Sequence, residues 1–134
     1  GRGEYPTIEP FEYRETVVFG HVGKPFLSYA QRTARDGMPS HAEVGYLRAA
    51  GDGRVELVLA HPTGVAEIEE GTVDGACIEL RTTGVVRSAT AKEVVALERS
   101  LAVEADTLSY TLRMAAMGLP LQHHLSATLR RVAG

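Results

Sequence analysis

FEYRETVVF, residues Phe11 to Phe19, is the stretch whose rhythm decides the fold. Phe11, Tyr13, Val17 and Phe19 recur with period two and share one face, while Glu12 and Arg14 fall on the other. Successive side chains point to opposite faces in an extended strand, so this alternation predicts a half-buried β-strand. The same rhythm recurs outward along the chain. Val55, Leu57 and Leu59 oppose Glu56, and similar short runs cover Phe26–Arg32, Glu43–Arg48, Val65–Glu69, Cys77–Arg81, Val94–Val103 and Leu108–Met114. Breakers separate them: Gly20, Gly23-Lys24-Pro25, Asp36-Gly37, Gly51-Asp52-Gly53, Pro62, Asp74-Gly75 and Gly118. Many short strands punctuated by turn residues predict an all-β sandwich or barrel. Strands joined by tight turns pair antiparallel, and a closed meander leaves no open edge to aggregate. A barrel of about eight to ten strands also encloses room for one ligand, which favours an antiparallel up-and-down β-barrel.

The last segment carries two rhythms. Leu121, Leu125 and Leu129 recur every four residues, as in a helix, while Leu121, His123, Leu125, Ala127 and Leu129 alternate, as in a strand. Thr128 and the barrel context favour the strand.

With 134 residues the chain has room for one domain, residues 1–134, and a single core without covalent staples. A net charge of −3 with scattered Lys and Arg argues against a nucleic-acid partner. The absence of an apolar stretch of about 20 residues or a polybasic block argues against a membrane partner. The one cysteine, Cys77, cannot form an internal disulfide, and its apolar surroundings suggest a buried structural thiol. A cytoplasmic protein is the resulting expectation.

Five histidines are the conspicuous chemical groups: His21, His41, His61, His123 and His124. Tandem histidines on a strand face opposite ways, so one can look into a cavity while the other meets solvent. A neutral imidazole is a common ligand for transition metals and haem iron, although paired histidines are more often ordinary surface groups. Zinc is a poor fit, with one cysteine and no His-x-x-x-His or Cys-x-x-Cys pair to start a tetrahedral site. No G-x-S-x-G elbow or phosphate-cradling glycine loop is present. Glu69-Glu70 are most simply solvated carboxylates, and Met114, Met117 and Leu119 are core or the wall of a flat apolar cofactor site.

Longer strings carry a family resemblance. GRGEYPTIEPFEYRE, VVFGHVGKPFLSYAQRT, HAEVGYLR, VELVLAHPTG, TAKEV and MGLPLQHHLSATLRR are similar, in that order, to segments of the nitrobindins, and of the actinobacterial members in particular. The resemblance implies a barrel of about ten strands, like that of fatty-acid-binding proteins, holding haem b near one open end. It implies peroxynitrite isomerisation to nitrate on ferric haem and nitric oxide binding to ferrous haem, with small molecules as partners and a monomer or homodimer as the assembly. Residue by residue, it puts the iron ligand, and so the catalytic position, at His124 of the His-Leu-x-Ala-x-Leu string. It adds Met114 and His41 to the pocket, and Thr7 of YPTI and Lys92 of TAKEV to the haem edge or propionates. A lysine beside a propionate would make a charge-assisted hydrogen bond, but a surface charge is an equal reading of Lys92.

Alternation alone groups His123 with the leucines and His124 with Gln122 and Ser126, so His124 faces inward only through a bulge or a polar interior face. The family's N-terminal Gly-x-Trp-x-Gly-x-Gly motif survives only as Gly1-Arg2-Gly3, which brings the first strand and barrel closure into question. The stretches Thr33–His41 and Gly71–Arg87 are shorter than in relatives. Two further readings compete with the enzyme: a nitric-oxide sensor or store, and a carrier of an apolar ligand. A fatty-acid carrier would need interior arginines, which the sequence does not locate, and a carboxylate-poor pocket would suit an isomerisation that consumes no net proton.

Overall fold

The computed structural model describes residues 1–132. Eleven strands follow in chain order: β1 (Arg2–Tyr5), β2 (Ile8–Glu12), β3 (Arg14–Gly20), β4 (Phe26–Arg35), β5 (Met38–Gly51), β6 (Arg54–Ala60), β7 (Val65–Asp74), β8 (Cys77–Arg87), β9 (Val94–Glu104), β10 (Thr107–Ala116) and β11 (Gln122–Arg130). All pairings are antiparallel, in the order β2-β1-β11-β10-β9-β8-β7-β6-β5-β4-β3. The sheet curls into a nearly closed barrel whose edge strands, β2 and β3, are consecutive in the chain. They meet at Tyr13, whose N–H donates to the Gly1 carbonyl at 2.9 Å. Among the described residues there is no helix, and none long and apolar enough to cross a membrane.

Every alternating run becomes a strand, and the ambiguous C-terminal segment is β11. The stretch Phe11–Phe19 divides at Tyr13 between β2 and β3. The first strand, whose formation was in question, pairs Gly3 with Leu125 on one side and Phe11 on the other. Gly3 suits this place because a Cβ there would collide with the Phe11 ring. The stretch Thr33–His41 is a tight hairpin: Asp36 and Gly37 both have positive φ, 51° and 77°, as the type I′ turn between β4 and β5 requires.

The interior has two halves. Val55, Leu57, Leu59 and Leu80 form the buried apolar core, with Tyr29, Leu47, Ile78 and Leu101 packed against it. The other half is an open cavity at the end where the β1–β2, β4–β5, β6–β7, β8–β9 and β10–β11 connections gather. There the wall also parts: β8 and β9 pair only from Cys77↔Ala102 to Arg81↔Glu98. Beyond that point the Leu97 N–H donates to the Thr82 hydroxyl at 3.1 Å instead of to a neighbouring carbonyl.

Cys77 is exposed at the start of β8, not buried as its apolar neighbours suggested. The β7–β8 turn lies just before it, so its side of the sheet meets solvent rather than the core.

Candidate haem pocket

The cavity has a volume of about 360 Å³ and draws its walls from β2, β4, β5, β7, β9, β10, β11 and the β6–β7 connection. Ile8, Phe11, Val65, Val94, Leu97, Leu112, Met114 and Leu125 supply an apolar lining, and Thr33, Arg35, Ser40 and Thr63 stand among its polar residues. Such a mixture of broad apolar surface and a few directed polar groups is what a small-molecule or cofactor site needs.

His124 enters this cavity through a bulge. In the β10–β11 ladder Leu112 pairs with Leu125 and Arg113 with His123, so His124 is the extra residue between two registers. The irregularity lets both Leu125 and His124 line the cavity, while His123 is exposed opposite Arg113. Bulges re-aim side chains in this way. The His124 ring is then fixed twice. Its Nδ1 lies 2.9 Å from the Glu4 carbonyl oxygen, so the Nδ1 proton is donated there and the tautomer leaves Nε2 with a lone pair. Its ring also meets that of Tyr5 edge-on, at 5.4 Å and 75°. Burial pushes the His124 pKa below the usual histidine range, against the Glu4 hydrogen bond, and so favours the neutral imidazole.

Tyr5 is a support that sequence reasoning missed. Its hydroxyl accepts the Ala116 N–H at 2.8 Å and reaches the Ala116 and Met114 carbonyls at 3.1 and 3.2 Å. Tyr5→Phe would leave the buried Ala116 N–H without that acceptor. The expected cost is about 1–3 kcal/mol, read as a lower thermal midpoint with the ring packing on His124 preserved.

His41 lines another wall of the cavity, on β5. Burial lowers its pKa, and its Nε2 lies 3.1 Å from Nδ1 of His61. Met114 lines the wall on β10, two residues beyond Leu112. Thr7 and Lys92 are exposed and do not line the cavity. Thr7 sits in the β1–β2 turn beside Ile8, and Lys92 in the β8–β9 connection two residues before Val94. The sequence did not single out Arg35, whose guanidinium lies over the Phe11 ring at 4.1 Å at the same mouth.

The cavity floor overturns three expectations. Glu69 is fully buried rather than solvated. The interior is rich in carboxylates: Glu43, Glu67 and Glu69 converge on Arg99. And Arg99 is the interior arginine the sequence did not locate. Its Nε donates to Glu69 at 2.6 Å, Nη1 to Glu43 at 3.2 Å, and Nη2 to Glu67 at 3.0 Å. Tyr29 adds a hydroxyl to Glu43 at 2.7 Å, and His61 Nε2 lies 2.6 Å from Glu67. Burial raises all three carboxyls, but Arg99, Tyr29 and His61 together outweigh it at Glu43, and His61 with Arg99 brings Glu67 down to about 2. At Glu69 burial, opposed by Arg99 and reinforced by Glu67, leaves the pKa up at about 8. Glu69 is therefore the carboxyl of the three on which burial favours a proton. Carried on Glu69, that proton can bridge to Glu67, the two carboxyls whose Oε1 and Oε2 otherwise lack partners among the described residues.

A family model described as "THAP4-like, heme-binding beta-barrel domain" matches residues 1–131. The chain belongs to this haem-binding β-barrel family. Among its relatives is the "Peroxynitrite isomerase 2" of Mycobacterium ulcerans, 63% identical over 98% of this chain and 85% of that protein. The "Peroxynitrite isomerase" of Nocardia farcinica is 58% identical over 98% of this chain and 82% of its own length. The crystal structure of Rv2717c from M. tuberculosis superposes with a TM-score of 0.91 at 55% identity, covering 98% of this chain and 88% of that one. The nitrobindin resemblance and the antiparallel barrel are thus borne out, with eleven strands where about ten were expected.

The residues of this haem-binding barrel fit the cofactor. A flat macrocycle needs apolar walls, which Leu112, Met114, Leu125, Val65 and Leu97 provide, and iron needs a neutral nitrogen donor. His124 Nε2 is such a donor, and the Glu4 carbonyl is the outer partner that ligating histidines characteristically have.

Proposed function

We infer that this protein binds haem b through His124 and uses it to isomerise peroxynitrite to nitrate. The observation that carries this reading is the His124 ring, turned into the cavity by a bulge and locked by Glu4 into the tautomer that leaves Nε2 free. The names of relatives at 56–63% identity over nearly the whole chain supply the substrate. The bound cofactor supplies the iron at which the rearrangement is catalysed.

The chain's own residues bind, orient and exclude. Leu112, Met114 and Leu125 cover the cofactor's apolar surface and keep water from the reacting centre. His41 presents a neutral imidazole to the cavity, held by His61. Arg35, Lys92 and Thr7 ring the mouth and are suited to the propionates, and the cations also attract an anionic substrate. Reactant and product contain the same atoms, so no net proton is consumed. That accords with an interior whose acids are tied to Arg99 rather than free to transfer protons.

A fatty-acid carrier is disfavoured by the same cluster. The Arg99 guanidinium that would receive a ligand carboxylate already serves three protein carboxylates.

Stopped-flow decay of peroxynitrite tests the function. Substoichiometric haem-loaded protein should accelerate decay, with nitrate as the product at the expense of nitrite. Decay no faster than with the same concentration of haem-free protein would remove the enzymatic reading.

A further inference from the structure

His41 and Glu43 lie two apart on β5 and both face the interior, and His61 follows β6 directly beside them. The turn after His61 is stiff: its N–H donates to the Val65 carbonyl at 2.8 Å, and Gly64, at φ 89°, returns an N–H to the His61 carbonyl at 3.1 Å. Three donor atoms of these residues therefore converge. His41 Nε2 is 3.1 Å from His61 Nδ1, which is 3.4 Å from Glu43 Oε2, and all three atoms lie within 4.8 Å of one another.

Hydrogen bonding does not saturate this group. Glu67 Oε1 already receives Arg99 Nη2 and lies 2.6 Å from His61 Nε2, so it accepts there and the His61 proton sits on Nε2. His61 Nδ1 then offers a lone pair. One proton on His41 Nε2 satisfies it, but Glu43 Oε2 gains nothing from that proton. Its partner Oε1 takes both Tyr29 at 2.7 Å and Arg99 at 3.2 Å, whereas Oε2 has only Arg99 Nη2 at 3.4 Å. A buried carboxylate oxygen with so weak a donor, facing two imidazole nitrogens, is a place for a cation.

We propose that His41 Nε2, Glu43 Oε2 and His61 Nδ1 form a site for one divalent ion of the zinc class, separate from the haem and from His124. Two imidazoles and a carboxylate are a recurrent zinc donor set that leaves a fourth position open, here toward the cavity. With Zn–N and Zn–O bonds of about 2.0–2.1 Å, tetrahedral ligands stand about 3.3 Å apart, matching the two short separations. The outer contacts are present as well. Glu67 orients His61 as carboxylates orient metal-bound histidines, and Tyr29 and Arg99 hold the far oxygen of Glu43. Binding requires His41 to move its single proton from Nε2 to Nδ1, with no net release.

Cobalt(II) titration of the full chain, followed by visible absorption, tests the site. One equivalent should give the ligand-field bands of a low-coordinate ion and be displaced by zinc. His41→Ala, which alters only a half-buried position on the cavity wall, should abolish the bands with an unchanged circular dichroism spectrum. Glu67→Gln should weaken binding by roughly 10–100-fold, the usual effect of losing an outer-shell carboxylate. His123→Ala and His124→Ala should leave the bands intact, and loading with haem should leave one equivalent bound. Absence of the bands, their survival in His41→Ala, or their loss in His124→Ala or on haem loading would each overturn the proposal.

Discussion

His124→Ala is expected to lower haem affinity by more than about 100-fold, read as loss of the saturable Soret band when the purified protein is titrated with ferric haem. Removing an outer-shell partner of a metal ligand already costs about 10–100-fold, and this substitution removes the ligand itself. The other histidines are less well placed. His61 Nε2 is held by Glu67, His61 Nδ1 and His41 Nε2 face each other at 3.1 Å, and His21 and His123 are exposed. The pH dependence has a definite sign. Protonated imidazole cannot bind iron, and burial lowers the His124 pKa, so the band should persist into mildly acidic solution and fade as pH drops through that lowered value. A band that survives intact in His124→Ala would move the ligand to His41.

The fold was legible because strand alternation and turn chemistry agree locally. Asp36-Gly37, Gly51-Asp52-Gly53 and Asp74-Gly75 each mark a hairpin, whereas the Ala105 turn, at φ 51° without a glycine, gave no such signal. The site was legible in part. His124, His41 and Met114 line the cavity, and all three came from resemblance. Alternation alone would have turned His124 outward, because a one-residue bulge leaves no mark in the period. The polar floor was invisible for a different reason. On β7, Val65, Glu67 and Glu69 face in while Ile68 is 47% exposed, the reverse of the apolar-inside rule. The rule fails because Arg99, thirty residues on, supplies the countercharge, and pairing across strands that far apart in the chain cannot be read from either segment alone.

That floor gives the largest expected effect on stability. Arg99→Leu should cost about 3–5 kcal/mol, measured as a lower urea midpoint near neutral pH, because it strands buried carboxylates rather than removing a whole ion cluster. Against a typical total of about 5–15 kcal/mol, the variant would be marginal. Its stability optimum should also move toward acid, with Glu69, already raised to about 8 by burial, keeping the sign it has in the parent. In the parent, Glu43 and Glu67 are held below their ordinary values, so their contribution is present above the unfolded carboxyl range and is lost as pH falls through the folded values. Without Arg99 burial is opposed only by Tyr29 and His61 at Glu43 and chiefly by His61 at Glu67, so the carboxyls rise from their values in the parent. The folded variant then binds more protons than the folded parent, so relative to the parent it loses stability as pH rises through that window and regains it in acid. Arg99→Lys should lie between, since an ammonium restores the charge but cannot fork to Glu43, Glu67 and Glu69 together. An Arg99→Leu midpoint equal to the parent's at neutral pH would mean that the three carboxyls are already protonated there, and that the floor of the cavity is a neutral hydrogen-bonded network rather than an ionic one.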